Sequence, residues 1–329
     1  MLIIMGFFIG ENCMKTKTCI SVCIALGLGL MLLSGCVEQQ TDDLPQRIGV
    51  LITIIPQLEM VEFIGGDLVD VTVMVPAGQS PHSFEPAPEQ MIKVAQADAY
   101  FIVGSGVEFE EVHLNAILEQ NPELHIFDCS EDIHILPYNQ HYGQEHHDES
   151  DHHHEDEHDE DDHQHHAGTD PHIWTSPVLL KQMAEVVYNG LITLDADNQE
   201  SYYSRYIEYI EKIDTLHQTI SDMLAPYEGR SFMVYHPAWG YFGTTYHLKQ
   251  IAVEDAGKQP GPAGVAALIQ QAQQENITVV FVSPQFDTTQ AETIATEING
   301  RVVFANPLTS DYETTMLQLA QDIVAGFDQ

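Results

Sequence analysis

The sequence predicts an α/β fold of two lobes with mostly parallel sheets, joined by one long helix. Three observations predict it. Eight short runs rich in Val, Ile and Phe alternate with helical stretches. The runs fall into two sets of four, and between the sets lies the strongest helical periodicity of the chain.

The first set covers residues 47–54, 69–75, 99–103 and 124–127, and the second covers 231–235, 249–253, 277–283 and 301–304. Runs this rich in Val, Ile and Phe, separated by helices, indicate parallel sheets covered on both faces. Between the sets, Asp197 and Glu200 have capping-box spacing. Tyr206, Ile210, Ile213, Leu216, Ile220 and Met223 then recur at three and four residues until Pro226. A helix over 198–225 would be roughly 40 Å long at 1.5 Å per residue. It could run along both lobes or belong wholly to one. Ser176 with Pro177 opens a helix to about Leu194, Asp287 and Gln290 open one that Gly300 closes, and Ser310 and Glu313 open the last. The expected divisions are an N-terminal lobe over 46–195, a connecting helix over 196–226 and a C-terminal lobe over 227–329.

The 329 residues carry 50 Asp and Glu against 11 Lys and Arg, a formal net charge of −39. Such a surface makes nucleic acid and anionic lipid surfaces poor partners and leaves cations as plausible ones. Met14-Lys15-Thr16-Lys17 and the apolar run over 20–33 read as an export signal, with Met14 a more typical start than Met1. The run ends in Leu33-Ser34-Gly35-Cys36, which resembles a lipobox. Residues 1–36 are then a lipoprotein signal peptide, Cys36 carries lipid, and 37–45 are a linker. The alternative is an uncleaved transmembrane anchor. Either way the chain faces outward, at the outer face of the cell membrane or in the periplasm. Cys13, Cys19 and Cys23 leave with the signal, so Cys129 remains as a buried, inert thiol.

Residues 139–168 are expected to be a disordered loop. Between His141 and His166 stand ten His and eleven Asp or Glu, with Tyr142 as the sole apolar residue. Such a stretch buries too little surface to offset its ordering entropy. His141, His146, His147, His152, His153, His154, His158, His163, His165 and His166 form an accessory metal-binding loop that suits Zn, Cu or Ni. A solvated linker or a pH-sensitive polyelectrolyte would look the same.

Three further histidines occupy informative places. His82 lies in Pro81-His82-Ser83-Phe84-Glu85-Pro86, His172 in Asp170-Pro171-His172-Ile173-Trp174, and His236 in Tyr235-His236-Pro237-Ala238-Trp239. His82 and His236 follow predicted strands, one in each lobe, and open parallel sheets bind ligands outside the carboxyl ends of their strands. Taken singly, each is more often a hydrogen-bonded loop residue than a ligand.

In this order, around a central helix, the three motifs resemble the zinc- and manganese-binding solute-binding proteins of ABC transporters, of the ZnuA type. The resemblance covers residues 46–329, and the lipobox is typical of the lipoprotein members. It implies that the connecting helix is rigid and that the metal sits in the cleft between the lobes. His82 and His172 would be ligands from the first lobe and His236 from the second. Manganese binders resemble one another in having glutamate at that third position, so histidine favours Zn2+ over Mn2+. Where many members have aspartate in a motif resembling Asp-Pro-Leu, this chain has Asn306-Pro307-Leu308. Asn306 is therefore the candidate for the fourth position, as a weak ligand or by orienting a water, with Asp311 or Glu254 as possible substitutes. Glu85, Asp170 and Asp255 are candidate partners for the ligand imidazoles, and Trp174, Trp239, Tyr241 and Phe242 candidate walls. The implied partners are an ABC permease and its ATPase, with a lipid anchor to the membrane, no nucleic acid and a monomeric state. No catalytic motif of the HExxH kind is present. A zinc-buffering or adhesive surface lipoprotein, and a zinc hydrolase, are the competing readings.

Overall fold

The computed structural model describes residues 47–137, 168–254 and 257–329. Strands β1 (Ile48–Ile54), β2 (Val69–Val75), β3 (Ala99–Ile102) and β4 (His125–Asp128) form one sheet in the order β2-β1-β3-β4. Strands β5 (Ser231–Val234), β6 (Lys249–Ala252), β7 (Val279–Val282) and β8 (Arg301–Phe304) repeat the order as β6-β5-β7-β8. Every pairing is parallel. The central strands are buried along almost their whole length, which is why they read as unbroken apolar runs. In each sheet the connections reverse direction beside the first strand. The resulting crevices lie outside the carboxyl ends of β1 and β3, and of β5 and β7.

Helices α1 (Pro56–Gly65), α2 (Pro88–Val94), α3 (Glu108–Gln120) and α4 (Pro177–Leu194) belong to the first lobe. The long helix α5 (Gln199–Leu224) follows, and then α6 (Gly240–Thr245), α7 (Pro262–Gln274), α8 (Thr289–Glu297) and α9 (Tyr312–Phe327). Helix α5 packs against α1 and α4 on one side and α9 on the other, so it serves both lobes. Its buried stripe is Tyr202, Tyr209, Ile213, Leu216, Ile220 and Leu224. Tyr206, Ile210 and Met223 pack at the edge of that stripe, Tyr206 stacking on Tyr188 at 5.0 Å. One hydrophobic cluster runs from Phe101 in the first sheet through Ile213 to Phe281 and Met316 in the second lobe. Lys212 of α5 also reaches Glu59 of α1 at 2.5 Å and Glu313 of α9 at 3.5 Å. Partly exposed pairs of this kind contribute about 0–1 kcal/mol each, so the apolar stripe carries the coupling.

Three predicted caps differ; at α8 the N-cap is Thr288 and not Asp287, which accepts from the Thr289 N–H at 2.8 Å. The Asp197–Glu200 box does not form, because Ala196–Asn198 make a 3-10 turn and Asn198 stands at the N-cap without a side-chain cap bond. Asp195 instead accepts from the Asn198 amide at 2.7 Å and the Tyr202 hydroxyl at 2.9 Å, which draws the turn tight. The last helix is capped by Asp311, not Ser310, through a 3.3 Å bond from the Thr314 N–H. Ser176 caps α4 as expected, accepting from Leu179 N–H at 3.4 Å. Cys129 is fully buried, and burial pushes its thiol pKa up. Cys36, the linker 37–45, the ten loop histidines and Asp255 lie outside the described residues. Among the described residues no helix is long and apolar enough to cross a membrane.

Glu110, in the first turn of α3, is buried in the crevice between β1 and β3 with no cation bonded to it among the described residues. Its carboxylate accepts from the N–H groups of Val103 at 2.6 Å and Gly104 at 2.9 Å and from the Thr53 hydroxyl. Burial outweighs these bonds and raises its pKa to about 7 from an ordinary 4.5. The folded state therefore holds this proton more tightly than the unfolded chain. Its contribution to stability is complete below the unfolded pKa and is lost as pH rises through about 7. The loss is expected to be roughly 3 kcal/mol. Urea unfolding of metal-free protein between pH 4.5 and 8 should show this slope in the wild type and not in Glu110→Gln. Equal slopes in both proteins would refute the assignment, whatever constant offset the substitution adds.

Candidate metal centre

The three histidines singled out by sequence converge. His82 sits in the loop after β2, His172 opens a single 3-10 turn (Ile173–Thr175), and His236 stands just beyond β5. Ring centroids lie 5.1 Å apart for His172 and His236, 5.4 Å for His82 and His236, and 6.4 Å for His82 and His172. One nitrogen from each ring falls within 4.8 Å of the other two, and the Nε2 atoms of His172 and His236 are 3.2 Å apart. The two lobes thus contribute to one nitrogen cluster. Its members are not equivalent. His172 and His236 are buried, whereas the His82 side chain keeps 38% of its surface exposed.

A carboxylate faces the Nδ1 atom of each ring. Asp170 Oδ1 lies 2.7 Å from His172 Nδ1, Glu254 Oε1 lies 2.5 Å from His236 Nδ1, and Glu108 Oε2 lies 3.4 Å from His82 Nδ1. An Nδ1–H held by a carboxylate leaves Nε2 as the free lone pair, and it makes the ring more basic toward a cation. Asp170 was expected in this role. Glu85 is not in it, since it pairs with His113 at 3.7 Å. Glu254 takes the place given to its neighbour Asp255, and the sheet explains why. The pairing of Val234 with Ala252, extended two residues, sets His236 opposite Glu254. Desolvation lowers the pKa of His236 despite its bond to Glu254, and desolvation followed by the charge on His236 lowers that of His82. Two of the rings are thereby kept neutral, the form that binds metal.

The backbone that presents His172 is held from several directions. Asp170 Oδ1 also accepts from the His172 N–H at 2.9 Å, closing a local turn. From the second lobe, the Tyr241 hydroxyl donates to Asp170 O at 2.8 Å, and the Tyr312 hydroxyl donates to Trp174 O at 2.9 Å. Trp174 in turn donates its indole N–H to Pro307 O at 2.8 Å. Tyr241 also accepts from Leu136 N–H at 2.9 Å.

Trp174 lines the small cavity at the cluster, together with Ser80, Ser283, Gln285, Phe286 and Leu308. Trp239, Tyr241 and Phe242 are buried behind it and are not among its lining residues. Phe286, not anticipated from sequence, stacks on His236 at 4.8 Å and 20°. Asn306 is not in the cavity wall either. Its side-chain oxygen accepts from Leu308 N–H at 3.0 Å and from Gln285 Nε2 at 3.1 Å, and its amide donates to Leu308 O at 3.1 Å. Asp311 is engaged as a helix cap and Glu254 as the partner of His236.

Two parallel α/β lobes, tied by one helix and meeting at a histidine cluster, define the architecture of a metal-type solute-binding protein. The chain belongs to the family described as "Zinc-uptake complex component A periplasmic", whose family model matches residues 50–326. It is similar to the high-affinity zinc uptake system protein ZnuA of Bacillus subtilis, 28% identical over 284 residues, covering 84% of this chain and 85% of the relative. It is also similar to the zinc-binding lipoprotein AdcA of Streptococcus pneumoniae, 26% identical over 293 residues. That match covers 88% of this chain and 55% of the relative, so the chain spans about half the length of AdcA. A crystal structure of ZnuA superposes with a TM-score of 0.75 at 32% identity, covering 85% of this chain and 99% of that one.

Asp170→Asn and Glu254→Gln should each weaken zinc binding by about 10–100-fold, the usual cost of losing a carboxylate behind a ligand imidazole. Competition titration against a chelator measures this, with circular dichroism to check the fold. Wild-type affinity in both variants would show that these carboxylates do not support the site.

Proposed function

We propose that the chain is an extracytoplasmic solute-binding protein that captures Zn2+ in the cleft and delivers it to an ABC permease driven by its ATPase. The observation that carries this reading is the cluster of His82, His172 and His236, drawn from both lobes, with a carboxylate behind each ring. Three imidazoles suit zinc, while manganese prefers more oxygen donors. The carboxylates add negative charge without occupying coordination positions, which favours a dication over a monovalent ion. Relatives named for zinc binding and zinc uptake support the same cargo.

The remaining parts of the proposal rest on the sequence. Lipid on Cys36 would anchor the chain at the outer face of the membrane, residues 37–45 would act as a tether, and the loop histidines would gather zinc for the cleft. The lobes are proposed to divide near 195 and 226, with the protein monomeric.

His172→Ala and His236→Ala should each weaken zinc binding by orders of magnitude in calorimetry, and His82→Ala should do so to a smaller but measurable degree. Unchanged affinity in two of the three variants would overturn the site. Deleting residues 141–166 should leave one tight zinc site per chain. Loss of that site with the loop would favour a zinc-buffering surface lipoprotein instead.

A further inference from the structure

The three imidazoles leave one position of a tetrahedral zinc site to be filled. The cavity wall around them narrows the choice of donor. The small cavity between them contains no Asp, Glu or Cys, and its side-chain oxygens come from Ser80, Ser283 and Gln285. A wider cavity that His82 and His236 also line adds Glu108 and Glu254, already engaged with those two rings, and the exposed Glu111 and Asp287. Ser80 is already engaged, its hydroxyl accepting from the His82 N–H at 3.3 Å. Gln285 lies in Ser283-Pro284-Gln285-Phe286, directly beyond β7 and so at the crevice of the second sheet beside β5. An amide oxygen is a better metal donor than a neutral serine hydroxyl, which favours Gln285 over Ser283.

Which end of the Gln285 amide is free follows from Asn306. The Asn306 side chain is oriented by backbone groups that cannot exchange roles. Its oxygen faces the Leu308 N–H at 3.0 Å, and its nitrogen faces the Leu308 carbonyl at 3.1 Å. Turning that amide over would set donor against donor and acceptor against acceptor. The Gln285 atom 3.1 Å from Asn306 Oδ1 must therefore be its NH2 group. Among the described residues no hydrogen bond reaches the Gln285 oxygen, the other end of an amide in the cavity wall. Asn306 thus acts at one remove.

We propose that Gln285 supplies the side-chain oxygen at the fourth zinc position, and that Asn306 is a positioning residue that aims it. The inference rests on the cleft reading of the previous section and refines it. Gln285 holds a neutral oxygen toward the ion while its NH2 is tied back to Asn306. An uncharged donor there leaves the bound ion more positive than a carboxylate would, and so easier to release. Aspartate at 306 would keep the acceptor for Gln285 but turn its second oxygen toward the Leu308 carbonyl. The asparagine is thus matched to its turn and not merely a weakened acid.

The test uses the full chain, with Zn2+ titrated in competition with a chelator and Co2+ as a spectroscopic probe. Gln285→Ala should weaken zinc binding by about 10–100-fold, the scale of losing one supporting contact at a metal site. It should also change the visible absorption of the cobalt-loaded protein, which a purely structural role would leave alone. Gln285→Glu should restore or exceed wild-type affinity. Asn306→Ala should cause a smaller loss in the same direction, and none further in the Gln285→Ala background, because Asn306 works through Gln285. Thermal unfolding of the metal-free variants checks that each is folded. Wild-type affinity and cobalt spectrum in Gln285→Ala would overturn the proposal. So would an Asn306→Ala effect that persists without Gln285, or a spectral change obtained with Ser283→Ala instead. His236→Ala separates this failure from a larger one. If it abolishes binding while Gln285→Ala does nothing, only the fourth ligand is wrong. If it too binds normally, the cleft reading falls, and this inference with it.

Discussion

The site depends on the short backbone segment from Asp170 to Ser176. It belongs in sequence to the first lobe, yet its hydrogen bonds go largely to the second. Asp170 O, Trp174 O, the Trp174 indole and the Ser176 hydroxyl are bonded to Tyr241, Tyr312, Pro307 and Thr245 respectively. These groups are buried or nearly so, where an unmade hydrogen bond costs about 1–3 kcal/mol. Pulling the lobes apart at this point would break several at once. The segment therefore fixes His172 relative to His236 without any ion, and the stripe of α5 supports the same relation from behind.

With two imidazoles set in this way, capture and release of the proposed cargo would fall to the third. His82 is on a loop held mainly by turns of its own backbone around Ser80, and it is the exposed member of the cluster. Its carboxylate partner is the most distant of the three and lies more than half exposed. A site with two rigid donors and one loop-borne donor can load an ion in stages. The loop can also give up its bond without the lobes separating. Such a design needs little domain motion, in keeping with a long helix packed on both lobes, and it differs from wide hinge closure around a ligand.

Most of the fold was legible because its signals are local. Buried parallel strands appear as apolar runs, and α5 appears as a repeat at three and four residues. The caps were less legible. Asp197, Asp287 and Ser310 all have the chemistry of a cap, but the helix starts depend on which neighbour first finds a partner, as Asn198 does in Asp195. The site divided along the same line. The three histidines were visible beside strand ends and prolines, and Asp170 was visible two residues from His172. Glu254 was within reach of sequence reasoning through register alone, since a strand pairing offset of eighteen residues sets it against His236. Glu108 and Phe286 were not within reach. They come to the cluster from a helix start and a loop whose approach is decided by tertiary packing.

Asn306 stands where the motif reading set it, after the last strand, but outside the wall of the small cavity. An asparagine there can satisfy both the N–H and the carbonyl of Leu308, which an ionised aspartate cannot do, and this turns its oxygen away from the ion and toward Gln285. Around the cavity the charge is already ample, since Asp170, Glu254 and Glu108 stand behind the three rings. A fourth carboxylate in direct contact would add a strong bond to the ion, and with it a penalty on letting go. The neutral relay from Asn306 to Gln285 keeps the geometry of the fourth position while leaving the electrostatic attraction to the carboxylates behind the rings. On the proposed site, affinity would be set mostly by groups that never touch the ion, and exchange by the exposed His82 and the neutral amide of Gln285.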